Sequence, residues 1–536
     1  MACGSPSPTS PRRWIMRLQP VSSVSLQRIS PRLAAVAGVL LSLALAFAIL
    51  RLPPPLNLIA VPGVLLGTLM LIAPSLAPML LVASVPVQDV GAVSLGDQTL
   101  TATKAAVGAT AVVLPLVLLA RRQPLRLPAL AVAIVGYILT QVISLRAARE
   151  LFPAFAEIYR WTVMLLALLA VVHLVRGRAA ILWLSSVVAA GAIGQAALGA
   201  VQSVLGLAPE SFAVGGGIFR AYGTFGKPNP YAGYLEMTGL WLVPLAIWAL
   251  REAWNAGLAW HLARSDGFVA SRALRRDLLV RLGLCAWLTL GSVCSFLGIG
   301  LSFSRGAWLG ATAGLVVLVL AASRRVQIAG VGLALVGSLF LLAGGGTVLP
   351  DAVRERAVQL TSQIRLFDVR DVQLTDETFA AIERMTHWQT GLAMAREFPL
   401  TGVGVGNYNV RFAEFSPHPV FRISQGHAHN YYIHAAAETG FLGLAAYLLV
   451  LLFALVAALR SIRQGRSALD RALGLGALAA TTAVMVHNVV ENLHVLNLSV
   501  QLAAIWGLAL VAERSRSLAG SGCGALGAKG QRRSTS

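Results

Sequence analysis

The chain has 536 residues, of which 57% are hydrophobic and only 12% charged, with a formal net charge of +21. Soluble domains run about 45–50% apolar and about 25% charged, so this balance excludes a soluble enzyme, a disordered chain and a coiled coil. It leaves a polytopic membrane protein, in which basic residues report topology and contact with anionic lipid and do not imply nucleic acid.

Residues 1–32 carry Arg12, Arg13, Arg17, Arg28 and Arg32 and are predicted to be a cytoplasmic tail. The apolar stretch 33–52 can span a bilayer and shows no clear cleavage site, so it is expected to be an uncleaved first helix. Further apolar runs fall near 56–72, 73–88, 105–120, 128–145, 160–175, 179–200, 231–250, 282–301, 306–322 and 327–344, which makes 33–344 the region of helices one to eleven. The runs at 56–72 and 73–88 share one stretch broken near Pro74; fused, they leave an odd span count. One long polar segment, 345–432, follows. Runs at 436–459, 469–488 and 496–512 complete the last three helices within 433–513, and the tail 514–536, rich in Gly, Ser and Arg, is expected to be cytoplasmic and disordered. The fold class predicted is all-α polytopic, with about 12–14 transmembrane helices and a large, partly helical periplasmic loop before the last three.

The charges test this arrangement. With the N-terminus inside, Arg121, Arg122 and Arg126, then Arg176 and Arg178, the arginines across 251–281, Arg324 and Arg325, those across 460–471 and the basic C-terminal tail all share the inner side. That asymmetry is what the positive-inside rule requires. The loops at 201–230 and 345–432 then face outward. The four cysteines, Cys3, Cys285, Cys294 and Cys523, fit neither a disulfide framework nor a zinc pattern.

Outward-facing segments hold the chemistry. Of nine histidines, His387, His418, His427 and His429 lie in the long loop, His434 follows at the start of a span, and His487 and His494 flank the last outer turn. The densest stretch is GHAHNYYIHAAAETGFLG, 426–443. His429 comes where the loop re-enters the membrane. It suits a general base or a phosphate partner, and equally a snorkelling interfacial histidine; His427 and His434 read as supporting or structural. Arg305, in LSFSRGAWLG, and Arg220, in GGGIFRAYGTFGKPNPYAGYLE, sit at the outer mouth. A guanidinium there suits a phosphate through its planar fork, or serves as an interfacial anchor. Lys227, Pro228, Asn229 and Pro230 form a rigid lead into the next span. Glu236, inside that span, is either a bundle contact or a partner for Arg220. The alternating Gly402, Gly404 and Gly406 are not preceded by a βαβ pattern and are expected to shape the outer cap. The turn His487–His494 reads as a solvated turn near the same mouth.

Together these stretches resemble the O-antigen ligase and Wzy-type polymerase superfamily. The pattern His-Asn-x9-Gly-x-x-Gly is matched by His429, Asn430, Gly440 and Gly443; ERMTHWQTGLAMA (383–395), PLTGVGVGNY, SRGAW (304–308) and RAYGTFGKPNPYAGYLE (220–236) are similar to the family's other marks. The resemblance runs from about 200 to 512. It implies transfer of a glycan from an undecaprenyl-diphosphate donor to an acceptor hydroxyl at the outer face of the bacterial inner membrane, without metal or cofactor. Arg220 and Arg305 would hold the diphosphate and His429 would act at the reacting centre. Asn430, Glu438, Gly440, Gly443, His427, Lys227 and Asn229 would be supporting. The partners implied are the lipid-linked glycan, a glycan or lipid acceptor, and membrane lipid. Ligase, polymerase and protein-glycosylating readings stay open. A transporter of small anions is the rival from another class; it would place ionisable groups deep in several spans, whereas here they gather at the outer mouth.

Overall fold

A computed structural model of the chain describes residues 54–514 apart from 89, 91, 96–97, 216, 266–271, 343–366, 371 and 425, with a few isolated positions between 38 and 50. The predicted first span, apart from those positions, and both terminal tails lie outside the described residues. The elements run α1 (Pro54–Ile72), α2 (Leu76–Ser84), β1 (Val93–Leu95), β2 (Gln98–Leu100), α3 (Ala102–Ala120), α4 (Ala129–Ser144), α5 (Leu151–Leu174) and α6 (Gly177–Val204). Then come β3 (Ala213–Gly215), β4 (Ile218–Phe219), α7 (Pro228–Ser265), α8 (Arg272–Ser302), α9 (Arg305–Leu320) and α10 (Arg324–Leu342). The chain closes with α11 (Asp376–Glu397), α12 (Tyr408–Phe415), α13 (Tyr431–Gln464), α14 (Ala468–His487) and α15 (Leu498–Arg514). Each strand pair is a small antiparallel hairpin. The protein is an all-α, multi-pass membrane protein: α3 to α8, α13 and α14 are each long and apolar enough to cross a bilayer. Leu119, Leu139, Trp254, Leu297 and Leu333 stand exposed on the helices, a surface suited to lipid rather than water.

The predicted runs 56–72 and 73–88 form two helices: a three-residue turn, Ala73–Ser75, joins α1 to α2, and α2 continues through one 3₁₀ turn, Val85–Val87. Pro74 lies in the turn that separates them. Helix α7 has 38 residues and α8 has 31, so both extend beyond the bilayer at their basic ends.

The bundle has two chemically distinct ends. At one end Arg176 bonds Gln123, and the His173 ring meets the Arg126 carbonyl at 3.1 Å. Arg178 and Arg281 share Glu252, at 2.8 and 2.7 Å, and Arg460 lies 3.7 Å from Glu513. These are the basic loops that the sequence puts on a common side. The opposite end holds the two hairpins, α11 and α12, and the turn before α15.

Glycines set how closely the helices approach one another. On α9, Gly306, Gly310 and Gly314 recur every fourth residue, the small-residue spacing that lets membrane helices touch. A Cβ on Gly310 would come within 2.8 Å of the Ala483 carbonyl, and one on Gly314 within 3.0 Å of the Ala479 carbonyl, so α9 lies against α14 through backbone.

Candidate active site

The site forms where four chain reversals meet at the non-basic end: the lead into α7, the α8–α9 turn, the loop before α13 and the turn after α14. Their junction is a polar cleft of about 60 Å³ lined by Arg220, Asn229, Phe303, Ser304, Arg305, Gly306, Arg384, His487, Val490 and Glu491. Arg220 and Arg305, 85 residues apart in sequence, therefore face one space. Arg220 donates from Nε to the Ser302 carbonyl at 2.9 Å and from a terminal nitrogen to Asn229 Oδ1 at 3.0 Å. Asn229 in turn donates to Glu491. Asn229 thus links the arginine to the carboxylate.

His429 approaches the same carboxylate from the other side. Its Nδ1 lies 3.4 Å from Glu491 Oε1, and His427 Nε2 lies 3.3 Å from that oxygen. The motif explains this placement. Asn430 caps α13, accepting from the Tyr432 and Ile433 amides at 3.0 and 3.1 Å. His429, just before the cap, adopts a left-handed backbone with φ of 51°, which non-glycine residues reach only at a cost. Phe303, in the cleft wall, is left-handed too, with φ of 49°. The Tyr431 amide donates to the Asn488 carbonyl at 2.8 Å, which draws the turn after α14, and Glu491 with it, against the start of α13.

Glu491 and Arg384 are the residues that sequence reasoning missed. The turn predicted to be solvated is buried instead: His487, Asn488, Glu491, Asn492 and His494 are all within the protein. A buried acid at the mouth of a span is itself a functional signal. Arg384 sits on α11 with His387 and Trp388, one helical face; Trp388 donates to the His429 carbonyl at 3.3 Å, which docks that face over the histidine loop. The Arg384 Nε is buried with no hydrogen-bond partner among the described residues.

Electrostatics follow from burial. Burial lowers Arg384 from the ordinary arginine value, while Glu491 and Glu383 pull it back up. For Glu491, burial pushes upward, but His429 and His427 overcome it and hold the carboxyl well below the usual carboxylate range. Burial drives His427 down to about 3 despite Glu491, so its ring is neutral at pH 7. His427 Nδ1 accepts from the His429 amide at 3.1 Å. The single ring proton is therefore on Nε2, facing Glu491.

His427, His429 and Glu491 are spaced closely enough to hold a metal ion. The tautomer argues against it: a metal on His427 Nε2 needs a proton on Nδ1, and Nδ1 is already accepting one. The donor set fits a triad in which two imidazoles converge on one carboxylate.

Other sequence-predicted residues lie elsewhere. Lys227 is exposed and does not line the cleft. Glu438, Gly440 and Gly443 are likewise outside its walls. Glu438 accepts from the Gly406 amide at 2.8 Å and the Tyr408 amide at 3.1 Å. The glycine run, expected to shape the outer cap, is threaded into the bundle: a Cβ on Gly402 would meet the Ala437 carbonyl at 2.5 Å, and Gly404 and Gly406 pass against the backbone of Ala148 and Pro153. Gly440, at φ of 68°, breaks α13 so that the Phe441 amide can reach the Pro399 carbonyl at 2.7 Å. Glu236 pairs with His487 at 2.6 Å. Gly443 leaves room for the Thr439 side chain, whose Oγ1 a Cβ there would strike.

The multi-pass bundle thus gathers three guanidinium groups, a carboxylate and an imidazole at one mouth. Residues 290–448 match the family model described as O-antigen ligase (Wzy_C), so the chain carries a domain of the O-antigen ligase/Wzy superfamily. That stretch contains Arg305, Arg384, His429, Gly440 and Gly443; Arg220 and Glu491 reach the cleft from outside it. Comparison with curated proteins finds no match.

Proposed function

We propose that this protein transfers a glycan from an undecaprenyl-diphosphate donor to an acceptor hydroxyl at the outer face of the bacterial inner membrane. The observation that carries the reading is that Arg220, Arg305 and Arg384 line one cleft whose wall, Glu491, also contacts His429. The basic loops at the opposite end support a periplasmic orientation for this mouth.

Charge builds on the diphosphate as the sugar–oxygen bond breaks. Arg220 and Arg305, fixed in the cleft, stabilise that charge more in the transition state than in the ground state. Arg384 adds a third cation, held beneath the cap by α11. The acceptor hydroxyl loses its proton as it attacks the anomeric carbon, and His429 takes it. With Nδ1 turned to Glu491, the Nε2 atom is the one presented to the acceptor, and Glu491 stabilises the imidazolium that forms. Attack opposite the diphosphate inverts the anomeric centre. The triad asks for no metal, since arginines neutralise the leaving group.

Reconstitution into liposomes with a lipid-linked oligosaccharide and alternative acceptors tests the proposal. Glycan appearing on a lipid A core marks a ligase; lengthened lipid-linked chains mark a polymerase. No transfer to any hydroxyl acceptor, together with anion flux across the vesicle, would replace this reading with that of a transporter.

A further inference from the structure

Helix α9 begins inside the cleft. Ser304 precedes it with an extended backbone and makes no side-chain cap bond, so the first-turn amides at Gly306 and Ala307 have no intrahelical acceptor. The helix has 16 residues, and its dipole places partial positive charge at this end.

His487 stands at the same corner. It is fully buried, its Nδ1 lies 2.6 Å from Glu236 Oε2, and its Nε2 has no hydrogen-bond partner among the described residues. The ring packs against the helix start, since a Cβ on Gly306 would come within 2.6 Å of Nε2. A Glu236–His487 pair with two protons keeps one on Nε2, whether it is carboxylate with imidazolium or carboxylic acid with neutral ring. A phosphate oxygen, itself an acceptor, selects that form over one with a lone pair on Nε2.

We propose that this corner is a phosphoryl seat, in which the α9 amides and the His487 Nε2–H together hold one phosphate group of a diphosphate ester. The seat rests on the donor assigned above and extends it from a cluster of arginines to a specific anion hole. Gly306 is required because a side chain there would collide with the His487 ring and displace it. Glu236 is a positioning residue that holds His487 by Nδ1 and leaves Nε2 for the cleft.

The test is binding of farnesyl diphosphate and of inorganic pyrophosphate to the purified full-length protein in detergent, compared with its variants. Glu236→Gln combined with His487→Leu removes the donor without stranding a buried carboxylate. It is expected to weaken binding on the order of 10–10² fold, the scale of one hydrogen bond to a charged group. His487→Gln, whose amide can replace Nε2–H, should stay within a few-fold of wild type. Gly306→Ala, whose methyl group displaces the His487 ring, provides a second variant and should also weaken binding. Equal affinities for the two probes would place recognition in the phosphates alone; tighter farnesyl diphosphate binding would add the lipid chain; both support the seat. Unchanged affinity in the double variant or in Gly306→Ala, while Arg305→Ala abolishes binding, overturns the seat and leaves the donor assignment standing. Failure of wild type to bind either probe overturns both.

Discussion

Glu491→Gln is the most informative single change. It keeps the shape of the residue and removes the charge shared by His427, His429 and the arginine cleft. At the observed 3.4 Å, a carboxylate and a forming imidazolium attract by about 5 kcal/mol at an effective dielectric near 20. The His429 side chain is 21% exposed, and the solvent that reaches it reduces this. The expected loss is therefore on the order of 10²–10³ in kcat, each tenfold being about 1.4 kcal/mol. The donor KM should hold or fall, because a negative charge beside the diphosphate site has been removed. The assay is transfer from a lipid-linked oligosaccharide in proteoliposomes, with kcat and KM measured separately and the melting temperature of the variant checked. A wild-type kcat for Glu491→Gln, or a raised donor KM at unchanged kcat, would refute the role assigned to this carboxylate.

Three other outcomes follow from the geometry. Gly440→Ala places a methyl group within 2.7 Å of the Pro399 carbonyl at a φ of 68°; it should destabilise the detergent-solubilised protein by more than about 1–2 kcal/mol, read as a fall in melting temperature. His427 and His387 are both pushed down to about 3 by burial. The unfolded chain binds protons at both between about pH 6.5 and 3 while the folded chain does not, so stability must rise with pH through that window and fall on acidification. His427→Gln and His387→Gln should each flatten that slope in thermal melts, and an unaltered slope would contradict the assignment. Treatment with a chelator should leave transfer unchanged, because the His427 tautomer opposes metal binding; activity lost on chelation and restored by one divalent ion would reverse that conclusion.

Much of the architecture is legible in the sequence because span formation depends on local composition. The runs that become α3 to α8, α13 and α14 are visible as apolar stretches, and the alternation of basic loops gives their common side. The motif His429-Asn430 with Gly440 and Gly443 is legible as well, and its physical content is a left-handed residue, a helix cap, a break and a close approach. What the sequence conceals is long-range. Nothing local shows that the turn holding Glu491 is pulled inward by the Tyr431 amide on the Asn488 carbonyl. Glu236 finds its partner 251 residues away in His487, where a nearer arginine offered itself. Arg384 lies among other loop charges, and only the docking of α11 through Trp388 buries it.

In the proposed mechanism Arg305 and His429 serve one reaction at one mouth. Transfer from a lipid-linked oligosaccharide, measured in metal-free proteoliposomes for Arg305→Ala and His429→Ala, tests it most directly. The expected loss is on the order of 10²–10³ for the arginine and 10²–10⁴ for the histidine, with both variants inserted and folded. Wild-type transfer by either variant would contradict it.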